Sequence, residues 1–496
     1  MVKVTNNRIP NEFFVTQCFL NLLFIKFARM IRNDQTICAP ATSGGGAIAV
    51  IRMSGPQSIA ICERIFFPSD RNIKLREQKG YTIVFGEIRS GDEIIDEVLV
   101  SVFRSPHSYT GEDSVEISCH ASAYIQQKIT ELLISNGAVT ARPGEFTQRA
   151  FLNGKIDLSQ AEAVADLVAS ESRMAHRIAI NQLRGNFSDE ISILRADLLH
   201  FASLIELELD FGEEDVEFAD RKKLIEIVDK VLAVSEELTS SFSLGNAVKK
   251  GIPVVIAGDP NTGKSTLLNR LLMEEKAIVS EIPGTTRDVI EDTVVIDGIQ
   301  FRLTDTAGLR DTTDIVENLG IRKTHEKIDR AFVILLVADI NAGIVPLNDV
   351  LERIRILIDR DDKRLIILVN KTDYDLYDNR RIISQNLVLN TGESLLFISA
   401  KTGKGIDELK KLLGKAVERE RLNSENVIIT NIRHYEALLK VSESLQRVRS
   451  GLDSSLPEDL IAIDIRQAIH YLGEITGEIT TDEILQNIFR NFCIGK

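Results

Sequence analysis

The sequence predicts a multidomain protein of α/β plus α class, with an N-terminal α+β domain, a helical domain written in two sequence segments, and a P-loop nucleotide-binding domain inserted between those segments. Three observations lead there. A glycine loop, Gly258-Asp259-Pro260-Asn261-Thr262-Gly263-Lys264-Ser265, lies between the apolar run 252–257 and the helix-like stretch 266–272. Apolar residues recur at helical spacing on both sides of the region that holds this loop. Ahead of them, from Thr36, short β-branched runs alternate with helix-like segments.

Taken in order, strands are expected at 47–52, 81–86, 96–103 and 114–117, with helices at 57–66 and 121–135. Glycines 44–46 read as a turn, because no helix follows closely enough to make a second phosphate loop. Arg142-Pro143-Gly144-Glu145 is also a turn, and after it the composition changes. Residues 157–172 read as a helix, with Ser159 and Glu162 as a capping box and Leu158, Ala161, Val164, Ala165 and Val168 along one face. Helical stripes continue through Ile191, Leu194, Leu198, Phe201 and Ile205, then through Leu224, Ile227, Val228, Val231 and Leu238. They resume after residue 417 with Leu438, Val441 and Leu445, then Leu460, Ile461, Ile465, Ile469 and Leu472. One bundle interrupted by the nucleotide domain accounts for both stretches, since an insertion is tolerated where its ends lie close together. The expected division is an extension at 1–33, an α+β domain at 34–153, helical segments at 154–249 and 418–496, and the nucleotide domain at 250–417.

The chain has 496 residues, enough for about three domains. A net charge of −14 argues against a protein that coats nucleic acid nonspecifically, because phosphate neutralisation needs clustered Lys and Arg. Five widely spaced cysteines without a Cys-x-x-Cys pair indicate neither a disulfide framework nor a zinc site, and they fit a reducing cytoplasm. No segment reaches the roughly 18 apolar residues of a membrane-spanning helix. Residues 1–33 are basic and nearly free of acids, as a targeting segment is; a start at Met30 behind an upstream in-frame extension is the favoured reading.

The loop's chemistry follows from its residues. Backbone N–H groups at a helix N-terminus wrap a polyphosphate, Lys264 supplies charge to the β and γ phosphates, and the Ser265 hydroxyl is a Mg²⁺ ligand. Three further stretches follow in order. The apolar-rich run 299–304 ends in Asp305-Thr306-Ala307-Gly308, which places a carboxylate where it holds Mg²⁺ through water. The run 365–369 ends in Asn370-Lys371-Thr372-Asp373, whose carboxylate accepts two hydrogen bonds from the N1–H and 2-amino group of guanine. Ser399-Ala400-Lys401 completes the pocket with a backbone amide aimed at the guanine oxygen. The ordered set reads as a Ras-like GTPase. Where Ras-type enzymes carry a water-positioning Gln, however, this chain has Leu309, so another group must hold the water. Asp311, Asp314 and Glu317 are the nearby acidic candidates. Arg287 and Arg310 lie in the two expected switch segments, although neither is an obvious arginine finger. The Asn261 amide oxygen suggests a monovalent cation beside the phosphates.

With Gly-Thr-Thr-Arg-Asp at 284–288, Asp-Thr-Ala-Gly-Leu-Arg at 305–310 and the closing Phe492-Cys493-Ile494-Gly495-Lys496, the chain resembles the MnmE (TrmE) family of tRNA modification GTPases. The stretches 108–113, 142–147 and 150–158 are similar to that family's N-terminal segments, and the match runs from about Thr36 to the last residue. The resemblance implies K⁺ on Asn261, Ser280, Ile282 and Thr285, and Mg²⁺ on Ser265 and Thr286. GTP contacts would extend over 261–266, through Ser280, Glu281, Ile282, Pro283, Gly284, Thr285 and Thr286, to Asp305, Thr306, Ala307 and Gly308, and to the two base-pocket stretches. It makes Glu317 the catalytic glutamate, acting on water through a second water, and makes Cys493 necessary for modification. It implies an N-terminal dimerisation domain binding 5-formyltetrahydrofolate or a related tetrahydrofolate through Arg52, Glu116, Lys155 and Lys496. It also implies a homodimer, tRNA as substrate, and a heterotetramer or larger assembly with MnmG (GidA), which carries the FAD. Two departures stand out: Ser280 where family members often have Thr, and Pro283 in place of a small switch residue. An Era-type ribosome-assembly GTPase is the alternative, but it leaves the N-terminal domain and the Cys493 tail unexplained. A folate-dependent aminomethyltransferase with an accessory GTPase is a further rival.

Overall fold

A computed structural model describes residues 35–42, 46–210, 221–275, 292–305, 327–358, 363–375, 378–418, 427–454, 456–490, 492 and 495. They fall into two compact units: the residues up to Ala165 together with those from Thr476 on, and Asp166–Ile475.

The first unit is built on a seven-stranded sheet. Its elements are β1 (Ile37–Pro40), β2 (Ile48–Ser54), α1 (Ser58–Ile65), β3 (Phe66–Pro68), β4 (Thr82–Ser90), β5 (Glu93–Phe103), β6 (Ser114–His120), α2 (Ala123–Ser135), β7 (Val139–Thr140), α3 (Glu145–Leu152) and α4 (Leu158–Val168). The strand order is β3-β4-β5-β6-β2-β1-β7, antiparallel except for the β1–β7 pair. Alternation along the strands sends Ile51, Val84, Val98, Val100, Val102 and Ile117 into one core with Ile61 and Ile65 of α1 and Ile129 and Leu133 of α2. The same alternation leaves Ile83, Phe85 and Leu99 exposed, with Phe85 and Leu99 directly opposite each other on neighbouring strands.

The start of α4 corrects the expected capping box. The Asp157 carboxylate accepts from the Gln160 backbone N–H at 2.8 Å, and the Gln160 side chain accepts from the Asp157 N–H at 2.9 Å. Ser159 and Glu162 are instead buried inside the helix, Ser159 already two residues past Asp157. An acceptor at the position that has not yet entered the helix satisfies the orphan donors best, and here that position is Asp157. Val168, expected on the buried face, is 46% exposed, because the packing that covers Leu158 and Ala161 does not reach the last turn. That cover comes from Leu485 and Phe489 of the C-terminal helix Asp482–Arg490.

The second unit contains α5 (Arg173–Leu183), α6 (Asn186–Asp210), α7 (Arg221–Lys250), β8 (Ile252–Ala257), α8 (Lys264–Glu275), β9 (Asp292–Ile296), β10 (Ile299–Asp305), β11 (Val333–Asp339), α9 (Ile344–Leu357), β12 (Arg364–Asn370), α10 (Asn379–Asn386), β13 (Glu393–Phe397), α11 (Ile406–Glu418), α12 (Ile432–Asp453) and α13 (Glu458–Thr476). Helices α6, α7, α12 and α13 share one core through Ile191, Leu194, Leu198, Leu224, Val228, Leu438, Val441, Leu445, Ile465 and Leu472. Leu460, expected in that stripe, is 48% exposed. It precedes the Ile461-Ile465-Ile469 row by one residue, and about 100° of rotation carries it off the seam. The strand order β13-β12-β11-β8-β10-β9 places β8 between β11 and β10, parallel to both. β8, β11 and β12 are near-continuous apolar runs, as strands covered on both faces are, whereas the edge strand β13 is partly exposed along its length.

Candidate functional site

The C-terminal ends of the parallel strands in the six-stranded sheet carry the predicted nucleotide residues. β8 gives way to Gly258, whose φ of 141° and close approach to Val337 admit only glycine: an added Cβ would lie 2.1 Å from the Val337 carbonyl oxygen. At Gly263, φ is 98° and an added Cβ would lie 2.3 Å from the Asn370 amide nitrogen. Asn261 adopts φ 63°, a left-handed conformation that Asn accepts better than most residues. The Thr262 hydroxyl donates to the Asp259 carbonyl at 2.9 Å, and the buried Lys264 ammonium donates to the carbonyls of Gly258 and Asp259, both at 2.8 Å. The loop is thus closed on itself at the start of α8, where Ser265 and Thr266 stand exposed in the first turn. A glycine cradle feeding a helix N-terminus fits a polyphosphate, and the open Ser265 hydroxyl fits a Mg²⁺ ligand.

One amide joins this loop to the stretches expected to read the base. Asn370, buried at the end of β12, donates from Nδ2 to the Thr262 carbonyl at 2.8 Å and accepts at Oδ1 from the Ala400 N–H at 2.9 Å. The Lys371 ammonium pairs with Asp339 at 2.7 Å. The Ser399 hydroxyl donates to the Asp373 carboxylate at 2.6 Å and holds it below the usual carboxylate range despite some desolvation, with Lys401 adding in the same direction. Asp373 is therefore an ionised acceptor, as pairing with guanine's two donors requires. Thr372 fastens the same turn through its N–H and hydroxyl, both donating to the Ile398 carbonyl, at 3.2 and 2.9 Å. Sequence reasoning missed Arg270 of α8, which donates to the carbonyls of Lys401 at 2.8 Å and Ala400 at 3.4 Å. Nothing local marks Arg270. Asp339 also went unnoticed, although a carboxylate ending an apolar strand was a visible sign.

Asp305 ends β10 opposite Ile256 of β8, which puts its backbone beside the phosphate loop. Its side chain lies outside the described residues, as do Ser280, Glu281, Ile282, Pro283, Gly284, Thr285, Thr286, Thr306, Ala307, Gly308, Glu317, Cys493 and Lys496.

In the first unit, Arg52 on β2 pairs with Glu116 on β6, its register partner, at 2.8 Å through both Nε and Nη2. The guanidinium lies 5.5 Å from the Tyr109 ring centre and 5.7 Å from that of Phe146. Its Nη1 donates to the Gly495 carbonyl at 3.4 Å, so the C-terminal tail reaches this pair. Lys155 donates to the Pro106 carbonyl at 3.0 Å. Unforeseen was the buried Arg149, held between Glu112 (3.2 Å) and Glu145 (3.0 Å) and donating to the Gln35 carbonyl at 2.9 Å.

A glycine loop between strand and helix, a buried lysine in that loop and a carboxylate poised for guanine define a P-loop GTPase, an enzyme that binds and hydrolyses GTP. Residues 158–493 match the MnmE helical domain family, and residues 36–155 match the family described as GTP-binding protein TrmE N-terminus. The tRNA modification GTPase MnmE of Bacteroides thetaiotaomicron is 53% identical over 94% of this chain and 100% of its own length, and that of Flavobacterium johnsoniae is 51% identical over the same shares. A solved structure of Aquifex aeolicus Era bound to GDP and AlF4⁻ is similar at 26% identity and a TM-score of 0.26, over 39% of this chain and 66% of that one. The chain belongs to the MnmE (TrmE) family.

Proposed function

We propose that this chain is a K⁺-stimulated GTP hydrolase that, with the FAD-dependent partner MnmG, adds a carboxymethylaminomethyl or aminomethyl group to carbon 5 of the tRNA wobble uridine, drawing the one-carbon unit from a tetrahydrofolate. The observation that carries the reading is the joining, in one chain, of the guanine-reading loops to the Arg52–Glu116 pair on which Gly495 rests, with Cys493 and Lys496 on either side of Gly495 in sequence. Arg52, Lys155 and Lys496 supply cations for a folate's glutamyl tail, and Glu116 supplies a carboxylate for its pterin N–H donors. Ser265 and Thr286 hold Mg²⁺; Asn261, Ser280, Ile282 and Thr285 hold K⁺, which offsets charge at the phosphates where Ras-type enzymes receive an arginine. Glu317 orients the attacking water, and Cys493 serves the modification step. The active form is a cytoplasmic homodimer, and the exposed Ile83, Phe85 and Leu99 give the first unit an apolar face suited to that contact. No helix among the described residues is long and apolar enough to cross a membrane.

Mass spectrometry of tRNA nucleosides from host cells lacking the protein, complemented with wild type or Cys493→Ser, tests the reading. Loss of the 5-substituted wobble uridine, restored only by wild type, is expected; an unchanged nucleoside profile favours an Era-type assembly role. Comparing hydrolysis in K⁺ and Na⁺ tests the cation, and equal rates remove it.

A further inference from the structure

The second unit has a cavity of about 440 Å³ at the starts of the same parallel strands whose ends hold the nucleotide loops. Pro253 at the start of β8, Phe332 just before β11 and Lys363 just before β12 line it, whereas Gly258, Asp339 and Asn370 lie at the opposite ends of those strands. Strands of this length separate the two places by roughly 20 Å, so the cavity is not an extension of the guanine pocket. Its volume falls in the range of small-molecule sites.

We propose that this cavity binds a small phosphorylated ligand bearing a planar ring. Among the described residues that line it, four side chains are cationic, Lys250, Arg302, Arg330 and Lys363, and one, Asp329, is a carboxylate, in a chain of net charge −14; Arg302 is already engaged, its Nε donating to the Gly251 carbonyl at 3.2 Å. The Lys363 side chain is 3% exposed; its ammonium donates to the Ile328 carbonyl at 2.9 Å and meets Asp329, itself 53% exposed, only at 3.4 Å. A buried ammonium with one long carboxylate contact is incompletely neutralised, and a phosphate oxygen completes it. Lys250 and Arg330 stand exposed at the rim, where they meet the outer phosphate. Phe242 of α7 and Tyr435 of α12 stack with ring centres 4.5 Å apart and planes within 18°, giving the wall a flat aromatic surface on which a base stacks. The occupant therefore bridges the helical bundle and the strand starts. This inference does not depend on the tRNA reading.

The test uses the full-length protein saturated with GDP and Mg²⁺, so that the guanine site is filled, titrated by calorimetry with ADP and separately with inorganic pyrophosphate. Adenine lacks the donor pair that Asp373 reads, which keeps ADP from exchanging into that site. One ADP per chain is expected to bind. The double variant Lys250→Ala/Arg330→Ala, which leaves the buried Lys363 in place, weakens both probes by about tenfold or more. Phe242→Ala weakens ADP by a comparable factor while pyrophosphate changes by less than about twofold, and GDP affinity stays unchanged in every variant. Absence of saturable binding up to millimolar ADP, or binding that the double variant does not alter, overturns the proposal.

Discussion

Replacing Arg270 with alanine removes the clamp between the helix that follows the phosphate loop and the Ser399–Lys401 loop proposed to face the guanine base. Among the described residues, the loss is one short charge-assisted hydrogen bond, to the Lys401 carbonyl at 2.8 Å; the 3.4 Å contact to Ala400 contributes little. The base-facing loop keeps its other ties: Ala400 N–H to Asn370, Gly403 N–H to the Ser399 carbonyl at 2.8 Å, and Thr402 N–H to the Ser399 hydroxyl at 3.2 Å. The loop therefore stays folded and loses only its registration against α8. A hydrogen bond to a charged donor contributes about 1.5 kcal/mol net at a partly exposed position, which converts to about a tenfold rise in the Kd for GDP, expressed mostly in the off-rate. Stopped-flow displacement of a fluorescent GDP analogue measures it directly. Arg270→Lys, which reaches one carbonyl with a point charge, retains part of the affinity. An off-rate within twofold of wild type refutes the clamp. So does a fall of more than about 4 °C in the thermal midpoint without nucleotide, which would mean that Arg270 holds the fold rather than the loop.

Three further outcomes follow from the same structure. Arg149→Met strands the carboxylates of Glu112 and Glu145 in a buried setting and costs about 3–5 kcal/mol, read as an earlier urea transition; adding Glu112→Gln recovers part of the loss. Glu393 is pushed up by burial, yet the two-pronged Arg355 guanidinium, at 2.6 and 2.8 Å, outweighs this and lowers its pKa. The stabilisation is therefore complete above the ordinary value of 4.5 and fades as pH falls through the lowered one, and Glu393→Gln flattens the acid limb of a stability–pH curve. Phe85→Glu places a charge in the exposed apolar face of the first unit and shifts the protein toward monomer in analytical ultracentrifugation, while its far-UV circular dichroism stays unchanged.

Much of the local geometry of the candidate nucleotide site was legible because its parts are local. The cradle from Gly258 to Ser265 is a run of consecutive backbone groups, so residue types at fixed offsets specify it, and the Asn370–Asp373 turn likewise sits directly behind its strand. The stripes through Ile191, Leu194 and Leu198 and through Leu438, Val441 and Leu445 named their buried faces correctly. The failures were equally physical. Leu460 satisfied an apolar count but not the angle of its row, and Ser159 had the right side chain two residues too late to cap α4.

By itself, then, the sequence determined the phosphate loop, the long helical stripes and the longer strands, because those depend on periodicities of two and 3.6 residues and on local backbone chemistry; the short strands β1, β3 and β7, the helix α3 and the break between α4 and α5 were not legible in it. Which faces meet was decided only in three dimensions. Arg270 and Lys401 are 131 residues apart, Arg149 and Gln35 are 114 apart, and Arg52 reaches Gly495 across 443. An apolar stripe or an unpaired guanidinium states that a partner is needed without naming it. The partner is selected when packing brings distant groups within hydrogen-bonding distance and excludes the water that would otherwise have satisfied them.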